Sequence, residues 1–379
     1  MDDPRKVEGG SMPTSKKMVF LSSARAVWGG ENSLLALASE IQRQNLADIS
    51  LVSASEGLAE LWRSEVNENV RVVRGGGRLR SMATFFWAAL RLPSNSHAVA
   101  FDLIVVPPLA LLRGVLRRRG VRLVIDVHDC PRPEQRMFVS IRLAAARFDA
   151  AIAVSRFAAS QLERALPTEV VYRPVAVSER LPGFRFDQFR TIGVVGRIDP
   201  EKRVEFAIEV MRSAPADLQL VIRGSSSYAA DGYAEKIVAS AADLGSRVSF
   251  EGKVPKELVF DGLDALLFVS DREPSGRTLA EAQASGLPVV VVDAGGAAEF
   301  VQHGISGLKF EQNSSSSALT SLLALRESSE LRETLSRGGF ARARDEYDPA
   351  TQARRYVDAL ERNEVGTNAA AGPRGVAGA

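Results

Sequence analysis

Residues 190–223 read RTIGVVGRIDPEKRVEFAIEVMRSAPADLQLVIR. Arg190 to Val195 is a short β-rich run, Arg203 to Ser213 carries the apolar spacing of a helix, and Leu218 to Arg223 is a second β-rich run. Strand, helix and strand in so short a span is the unit that builds a parallel sheet covered by helices on its faces. Downstream the unit repeats, with strands at Val248 to Glu251, Ala265 to Val269 and Val289 to Val292, and helices at Tyr233 to Leu244 and Thr278 to Ala284. Upstream the same alternation has already run once. Strands are expected at Lys17 to Ser22, Ile49 to Ser53, Phe101 to Val106, Arg122 to Val127 and Ala150 to Val154. Helices are expected from about Ser33 to Gln44, at Ser81 to Leu92 and at Val139 to Arg147, with Gly29-Gly30 in a loop after the first strand.

Between the two series, Val175 to Arg190 is irregular and holds Pro182 and Gly183, which marks a linker. A chain of 379 residues is long enough for two cores. The expected organisation is therefore two Rossmann-like, doubly wound α/β domains, at 16–177 and 191–345, joined by 178–190 and facing a central cleft. Ser317 to Arg362 is strongly helical, with a last helix over 346–362. Residues 1–15 read as a disordered leader, and the Ala, Gly, Pro and Asn of 363–379 as a disordered tail. Glu8-Gly9-Gly10-Ser11 before Met12 has the look of an added segment ahead of a native start.

Composition narrows the class. Hydrophobic residues make up 45% and charged residues 25%, ordinary values for a globular protein. The single cysteine, Cys130, excludes an intramolecular disulfide framework and a cysteine zinc cluster, and it suits a reducing, cytoplasmic compartment. Met1 to Lys17 is polar, without the apolar centre of a signal peptide. The longest uncharged apolar run, Leu103 to Leu112, is too short for a bilayer and is interrupted by Pro107-Pro108. Net charge is only +2, but residues 16–180 hold 23 Lys/Arg against 15 Asp/Glu, and residues 181–362 hold 22 against 27. That asymmetry fits either a partner of one sign or ordinary solvated surface. No nucleic-acid partner is expected.

Two stretches carry chemistry. In Val194-Val195-Gly196-Arg197-Ile198-Asp199-Pro200-Glu201-Lys202 a strand ends and two cations, Arg197 and Lys202, stand beside a helix start. Arginine offers a bidentate fork and lysine a mobile point charge, a pair suited to a diphosphate; a surface arginine and a Pro-Glu-Lys turn would read the same. The spacing matches neither a Walker A loop nor GxGxxG. In Glu273-Pro274-Ser275-Gly276-Arg277-Thr278-Leu279-Ala280-Glu281 two carboxylates flank a small-residue turn that opens a helix. Backbone amides of Ser275, Gly276, Arg277 and Thr278 can cradle phosphate oxygens, and the carboxylates can accept hydrogen bonds from a ribose diol and from sugar hydroxyls.

These residues together resemble the retaining GT-B glycosyltransferases of family 4, the group 1 glycosyl transferases. The resemblance rests on Arg197 to Lys202, on the Glu273/Glu281 pair, on Ser285-Gly286-Leu287-Pro288-Val289, and on Gly295-Gly296-Ala297-Ala298-Glu299 with Gly304-Ile305-Ser306-Gly307. It covers about 190 to 310 strongly and the first half more weakly. There, Gly29-Gly30 resembles the glycine-rich loop over the donor phosphates, and Asp126-Val127-His128-Asp129 resembles the His-Asp segment at a strand end. Three places depart from the pattern: Tyr172-Arg173-Pro174-Val175, Arg223-Gly224-Ser225 and Pro274-Ser275.

The resemblance implies a hexosyltransferase that draws on a nucleotide-diphosphate sugar, a UDP- or GDP-sugar, and serves a glycan, lipid-linked or small-molecule acceptor. Arg197 and Lys202 would hold the diphosphate, with Gly29, Gly30, Gly224 and the amides from Ser275 to Thr278 nearby. Glu281 would bind the ribose, Glu273 the transferred sugar, and His128 would line the acceptor side. No metal is expected, since no Asp-x-Asp motif is present to hold one. The last helix would cross back to the first domain. Arg113, Arg117, Arg118 and Arg119, after an apolar run, would suit peripheral contact with an anionic membrane at its inner face, or a solvated helix face. Two other readings compete: a GT-B nucleotide-sugar epimerase, and a non-catalytic nucleotide-sugar-binding protein.

Overall fold

The computed structural model describes residues 16–369 except 75, 132–133, 136, 163–165, 184–187 and 226–231, with side chains described as far as Arg362. The expected leader, 1–15, lies outside the described residues.

The first seven strands are β1 (Lys17–Ser22), β2 (Asp48–Ser53), β3 (Val70–Val72), β4 (Ser96–Ala100), β5 (Arg122–Val127), β6 (Ala150–Ala153) and β7 (Thr168–Val170). They form one parallel sheet in the order β3-β2-β1-β4-β5-β6-β7. The second sheet holds β8 (Thr191–Val195), β9 (Gln219–Arg223), β10 (Val248–Gly252), β11 (Ala265–Phe268), β12 (Val289–Val292) and β13 (Leu308–Phe310). Its order is β10-β9-β8-β11-β12-β13, again parallel. The strands are near-continuous Val, Ile, Leu and Ala because helices bury both faces. Strand order reverses between β1 and β4 and between β8 and β11, and a crevice opens there at the carboxyl ends of the strands.

In the first domain, α1 (Gly29–Arg43) and α2 (Glu56–Glu65) cover one face. On the opposite face lie α3 (Arg78–Ala89), α4 (Val106–Arg118), α5 (Phe138–Arg147) and the short α6 (Arg156–Ser160). The second domain carries α7 (Val204–Ser213), α8 (Tyr233–Ser240), α9 (Arg277–Ala284), α10 (Ser315–Glu327) and α11 (Ser329–Tyr347). The last helix, α12 (Pro349–Ala369), leaves the second domain. It inserts Ala353, Tyr356, Val357 and Leu360 into the core shared by α1 and β1.

Four expectations need correction. The strand expected at Phe101 to Val106 is β4, ending at Ala100, and the apolar run after it turns into α4. Periodicity cannot separate a buried strand from a buried helix start. Pro107 and Pro108 do not break that segment, because they occupy the first turn of α4, where the missing N–H costs nothing. Gly29 and Gly30 are not loop residues but the first turn of α1, capped by Trp28, whose N–H donates to Glu31 at 2.9 Å. Finally, residues 363–369, read as the start of a disordered tail, continue α12; this stretch contains no proline, and 370–379 lie outside the described residues.

One glycine fixes the second crevice. Gly224 follows β9 at φ +158°, and a Cβ there would stand 1.7 Å from the Gly196 carbonyl oxygen after β8. Gly224→Ala should therefore destabilise the second domain by about 1–3 kcal/mol through forced separation of two backbones. Chemical unfolding checks this, and an unchanged midpoint would show that the two turns need not touch.

Candidate active site

Both crevices collect polar side chains, and the second is the more elaborate. After β8 the chain turns at Gly196 (φ +148°) into Arg197. Asp199 then caps a single 3-10 turn, Pro200–Lys202, accepting from the N–H groups of Glu201 at 3.1 Å and Lys202 at 3.2 Å. The same carboxylate pairs with Arg197 at 3.0 Å. Asp199 thereby orients both cations: Arg197 through its side chain and Lys202 through its backbone. The Lys202 ammonium reaches across to form an ion pair with Glu273, which lies on the loop after β11. Arg197 and Lys202 stand with Val194–Gly196 and Leu267–Ser270 around a small pocket between the ends of β8 and β11.

The Glu273 loop is held by close backbone approach. Gly296 N–H donates to the Glu273 carbonyl at 2.8 Å. A Cβ at Gly296 would lie 2.2 Å from the Pro274 oxygen, and one at Gly276 would lie 2.5 Å from the Phe300 ring. Only glycine lets these segments meet, which explains the glycines of Gly295-Gly296 in the sequence. Gly276 opens α9, so the first N–H groups of the helix, Thr278 among them, face the Ser275 turn with the partial positive charge of a helix start. Glu281, one turn in, accepts from Arg277 at 3.0 Å.

Arg277 also joins the domains. Its guanidinium donates to the Gly29 carbonyl at 2.7 Å and to Ser33 Oγ at 2.7 Å in the first turns of α1. Two further contacts cross the cleft: Ser155 donates to the Pro274 carbonyl at 2.6 Å, and Glu299 accepts from the N–H groups of Arg156 at 2.9 Å and Phe157 at 2.8 Å. The carboxylate of Glu299 therefore takes the first N–H groups of a helix in the other domain, beside its N-cap Ser155.

On the facing side, His128 follows β5. Its ring lies 4.3 Å from Phe101, centroid to centroid, and a Cβ on Gly30 would be 3.7 Å from it. Nδ1 sits 3.1 Å from Asp126 Oδ1. Asp126 also receives the Arg173 guanidinium and, at 2.9 Å, the Tyr356 hydroxyl of α12. Asp126 and its two other partners, Arg173 and Tyr356, are almost fully buried. Burial alone would push the Asp126 carboxyl up; the Arg173 charge and the bonds from His128 and Arg173 outweigh it and hold the group below its ordinary value. Burial likewise pushes His128 down, but the Asp126 bond and the charges of Asp129 and Asp126 outweigh that and raise it.

A second carboxylate, Asp102, stands after β4 at the same crevice. It accepts from Ser23 Oγ at 2.6 Å, from the Ser23 N–H and from Ile104 N–H at 3.2 Å, while burial raises its carboxyl above the usual range.

Of the residues singled out in the sequence, Arg197, Lys202, Glu273, Ser275, Gly276, Arg277, Thr278 and Glu281 fall on one side of the cleft, and Gly29, Gly30 and His128 on the other. Gly224 contributes backbone packing beside Arg197. The departure at Arg223 is structural: its guanidinium is spent on Glu251 at 2.8 Å and on the carbonyls of Leu258, Val259 and Asp261. Sequence reasoning missed Asp102, Ser23, Arg173 and Tyr356. Arg173 carried a trace, as a departure from the family pattern; Tyr356 carried none, because its partner is 230 positions away. Burial first, then the Asp129 charge, push the Cys130 thiol up to about 12, away from the thiolate form. Among the described residues no three His, Cys, Asp or Glu side chains converge as a metal site.

Comparisons with known proteins bear on the family and the fold. Residues 182–342 match the family model for glycosyl transferases group 1, and residues 27–179 match that for Glycosyltransferase Family 4. A D-inositol 3-phosphate glycosyltransferase of Nocardia farcinica is 35% identical over 127 residues, 31% of this chain and 28% of that protein. Its counterpart from Mycolicibacterium gilvum is 32% identical over 123 residues, with the same coverage. The chain thus matches less than a third of the length of these curated relatives. Among solved structures, Anabaena HepE in complex with UDP-glucose superposes with a TM-score of 0.77 at 21% identity, covering 91% of this chain and 99% of that one. Sucrose-phosphate synthase from Thermosynechococcus elongatus gives 0.73 at 16% identity, covering 93% and 100%. These likenesses establish the two-domain GT-B fold.

Proposed function

Taking as premise that the chain belongs to glycosyltransferase family 4, the group 1 glycosyl transferases, we propose that it transfers a hexosyl group from a UDP-sugar to an acceptor hydroxyl with retention of anomeric configuration. The observation that carries the reading is the Lys202–Glu273 ion pair beside Arg197 at the β8/β11 crevice. A cation for a diphosphate and a carboxylate for sugar hydroxyls stand there paired with one another. The choice of uridine is supported by the UDP and UDP-glucose complexes of HepE, a protein of the same fold.

In this reading Arg197 and Lys202 bind the diphosphate with the first amides of α9. Glu281 binds the ribose and Glu273 the sugar. The bond between the anomeric carbon and the phosphate oxygen breaks, and negative charge grows on the departing diphosphate. Fixed cations stabilise that charge more in the transition state than in the bound donor, which is the condition for acceleration. The acceptor oxygen then bonds to the same face of the anomeric carbon, and its proton passes to a phosphate oxygen of the leaving group. His128, fixed by Asp126, lines the acceptor side. The closed cleft, bridged by Arg277 and Glu299, excludes water.

The test is incubation with UDP-, GDP-, ADP- and dTDP-sugars, with and without EDTA, following released nucleoside diphosphate and the fate of the sugar. Slow release from a UDP-sugar, insensitive to EDTA and abolished by Arg197→Ala, is expected. Epimerised donor without release would replace the transfer reading by an epimerase, and tight binding without any turnover in the presence of acceptor pools would leave a sensor.

A further inference from the structure

Among the described residues, the first domain has one face of unusual composition. From Asn69 to Ile125 the chain holds ten arginines and a single carboxylate, Asp102, which is turned into the cleft. The helices α3, α4 and α5 contain no acidic residue at all. They pack side by side, with α4 in the middle, and bury their inner faces in one core. Their outer faces mix large apolar side chains with arginines, and these helices supply no acid of their own to pair with them. Leu79 (82%), Leu111 (75%), Val139 (68%), Trp87 (62%) and Val115 (45%) are exposed there. Arg78, Arg80, Arg117, Arg118, Arg142 and Arg147 are exposed on the same three helices.

Large apolar side chains projecting from a layer of arginines suit one environment, the boundary between anionic headgroups and acyl chains. Tryptophan is favoured at that boundary for its amphipathic ring. A second copy of this chain fits less well, because a two-fold contact would set six arginines against the same six. We infer that the α3–α4–α5 face docks the protein on an anionic lipid bilayer. Of the arginines first noticed in the sequence, the structure leaves only Arg117 and Arg118 for this task. Arg113 pairs with Asp149 at 3.5 Å, and Arg119 donates to the carbonyls of Leu90 and Leu92. No described helix is long and apolar enough to cross a membrane, so the contact is one of surface insertion.

The face also has a direction. Each of these helices begins at the carboxyl end of the strand before it, the same end as Ser23, Asp102 and His128. Leu79 and Val139, in the first turns of α3 and α5, therefore sit toward the cleft mouth and lie closest to acceptor entry. The acceptor class that follows is a hydroxyl on a lipid-anchored molecule, a consequence that rests on the transfer reading; the docking itself does not.

Flotation of the purified protein with phosphatidylglycerol-containing and pure phosphatidylcholine vesicles tests the docking without any assay of activity. Binding to the anionic vesicles only, weakened by added salt, is expected. Arg117→Gln with Arg118→Gln should weaken it about 30-fold, at roughly fivefold per arginine near an anionic surface. Trp87→Ser with Leu111→Ser should weaken it about tenfold or more by loss of apolar insertion. Both variants alter exposed positions, so their thermal midpoints and slow donor cleavage should equal the parent's. No flotation with either vesicle, or equal flotation of parent and both variants, overturns the inference. So does a concentration-dependent dimer, seen by light scattering, that Trp87→Ser disperses: the face would then belong to a second copy.

Discussion

Lys202→Ala is expected to lower kcat for donor cleavage by about 10²–10³-fold, the scale for removing one fixed charge-stabilising group from a transition state, with little change in stability. The two halves of that expectation have separate causes. The Lys202–Glu273 pair is only partly buried, and its side chains keep about a fifth of their exposure. Ion pairs so placed contribute about 0–1 kcal/mol to folding, so the thermal midpoint should hold. In the proposed reaction the kinetic role is different in kind, because the ammonium would face charge that exists fully only as the diphosphate departs. A rise in KM with kcat unchanged would mean that Lys202 binds donor and transition state alike, and the leaving-group role would be lost. Glu273→Gln provides the complement. It keeps the hydrogen-bonding shape but frees Lys202 from its partner, so donor affinity should hold or rise while transfer falls.

Asp126→Asn should cost about 3–5 kcal/mol of stability, the range for removing one partner of a buried ion pair. Arg173 would be left charged in the core, and the Tyr356 hydroxyl would face a weaker acceptor. Tyr356→Phe, which removes one hydrogen bond and no charge, should cost only about 1 kcal/mol. The loss has a pH dependence whose sign follows from the two shifts. Asp126 is held below its ordinary value of 3.8, so its contribution is present above that value and is lost as pH falls through the depressed one. His128 is held above its ordinary value of 6.5, so its contribution is present below that value and is lost as pH rises through the raised one. The gap between parent and variant should be widest between 3.8 and 6.5 and narrow above. Chemical unfolding at a series of pH values reads the gap, and proton NMR of His128 should show its titration moving down in the variant. A flat gap with an unmoved His128 would mean that the imidazole does not depend on Asp126.

Much of this architecture could be read from the residues, because the relevant interactions are local or periodic. The βαβ unit of 190–223 is visible since buried parallel strands are continuous apolar runs. The cations of 197–202 and the carboxylates of 273–281 declare themselves because each group lies within one loop and the helix it opens. What escaped follows from the same limits. β3, β7 and β13 have three residues each, too few to show a period. Phe101 to Val106 is apolar whether it is strand or helix entry. Gly29-Gly30 looked like a loop because helix propensity disfavours glycine, yet the pair opens α1, with Gly30 beside His128 and the Gly29 carbonyl bonded to Arg277. The Asp126 cluster assembles β5, the segment after β7 and α12, and no local pattern announces a contact between chain segments so far apart.

The path of α12 sets a limit on how this protein can be recombined. By position in the chain the helix belongs with the second domain, but Tyr356, Val357 and Leu360 complete the core of the first, and Tyr356 holds Asp126. A chimera spliced at the linker alone would give the first domain a foreign last helix and strip it of the residue that secures its own histidine. The second domain can be exchanged intact only as a cassette with two ends, one in the linker and one between α11 and α12. The two halves are in that sense not separable by a single cut.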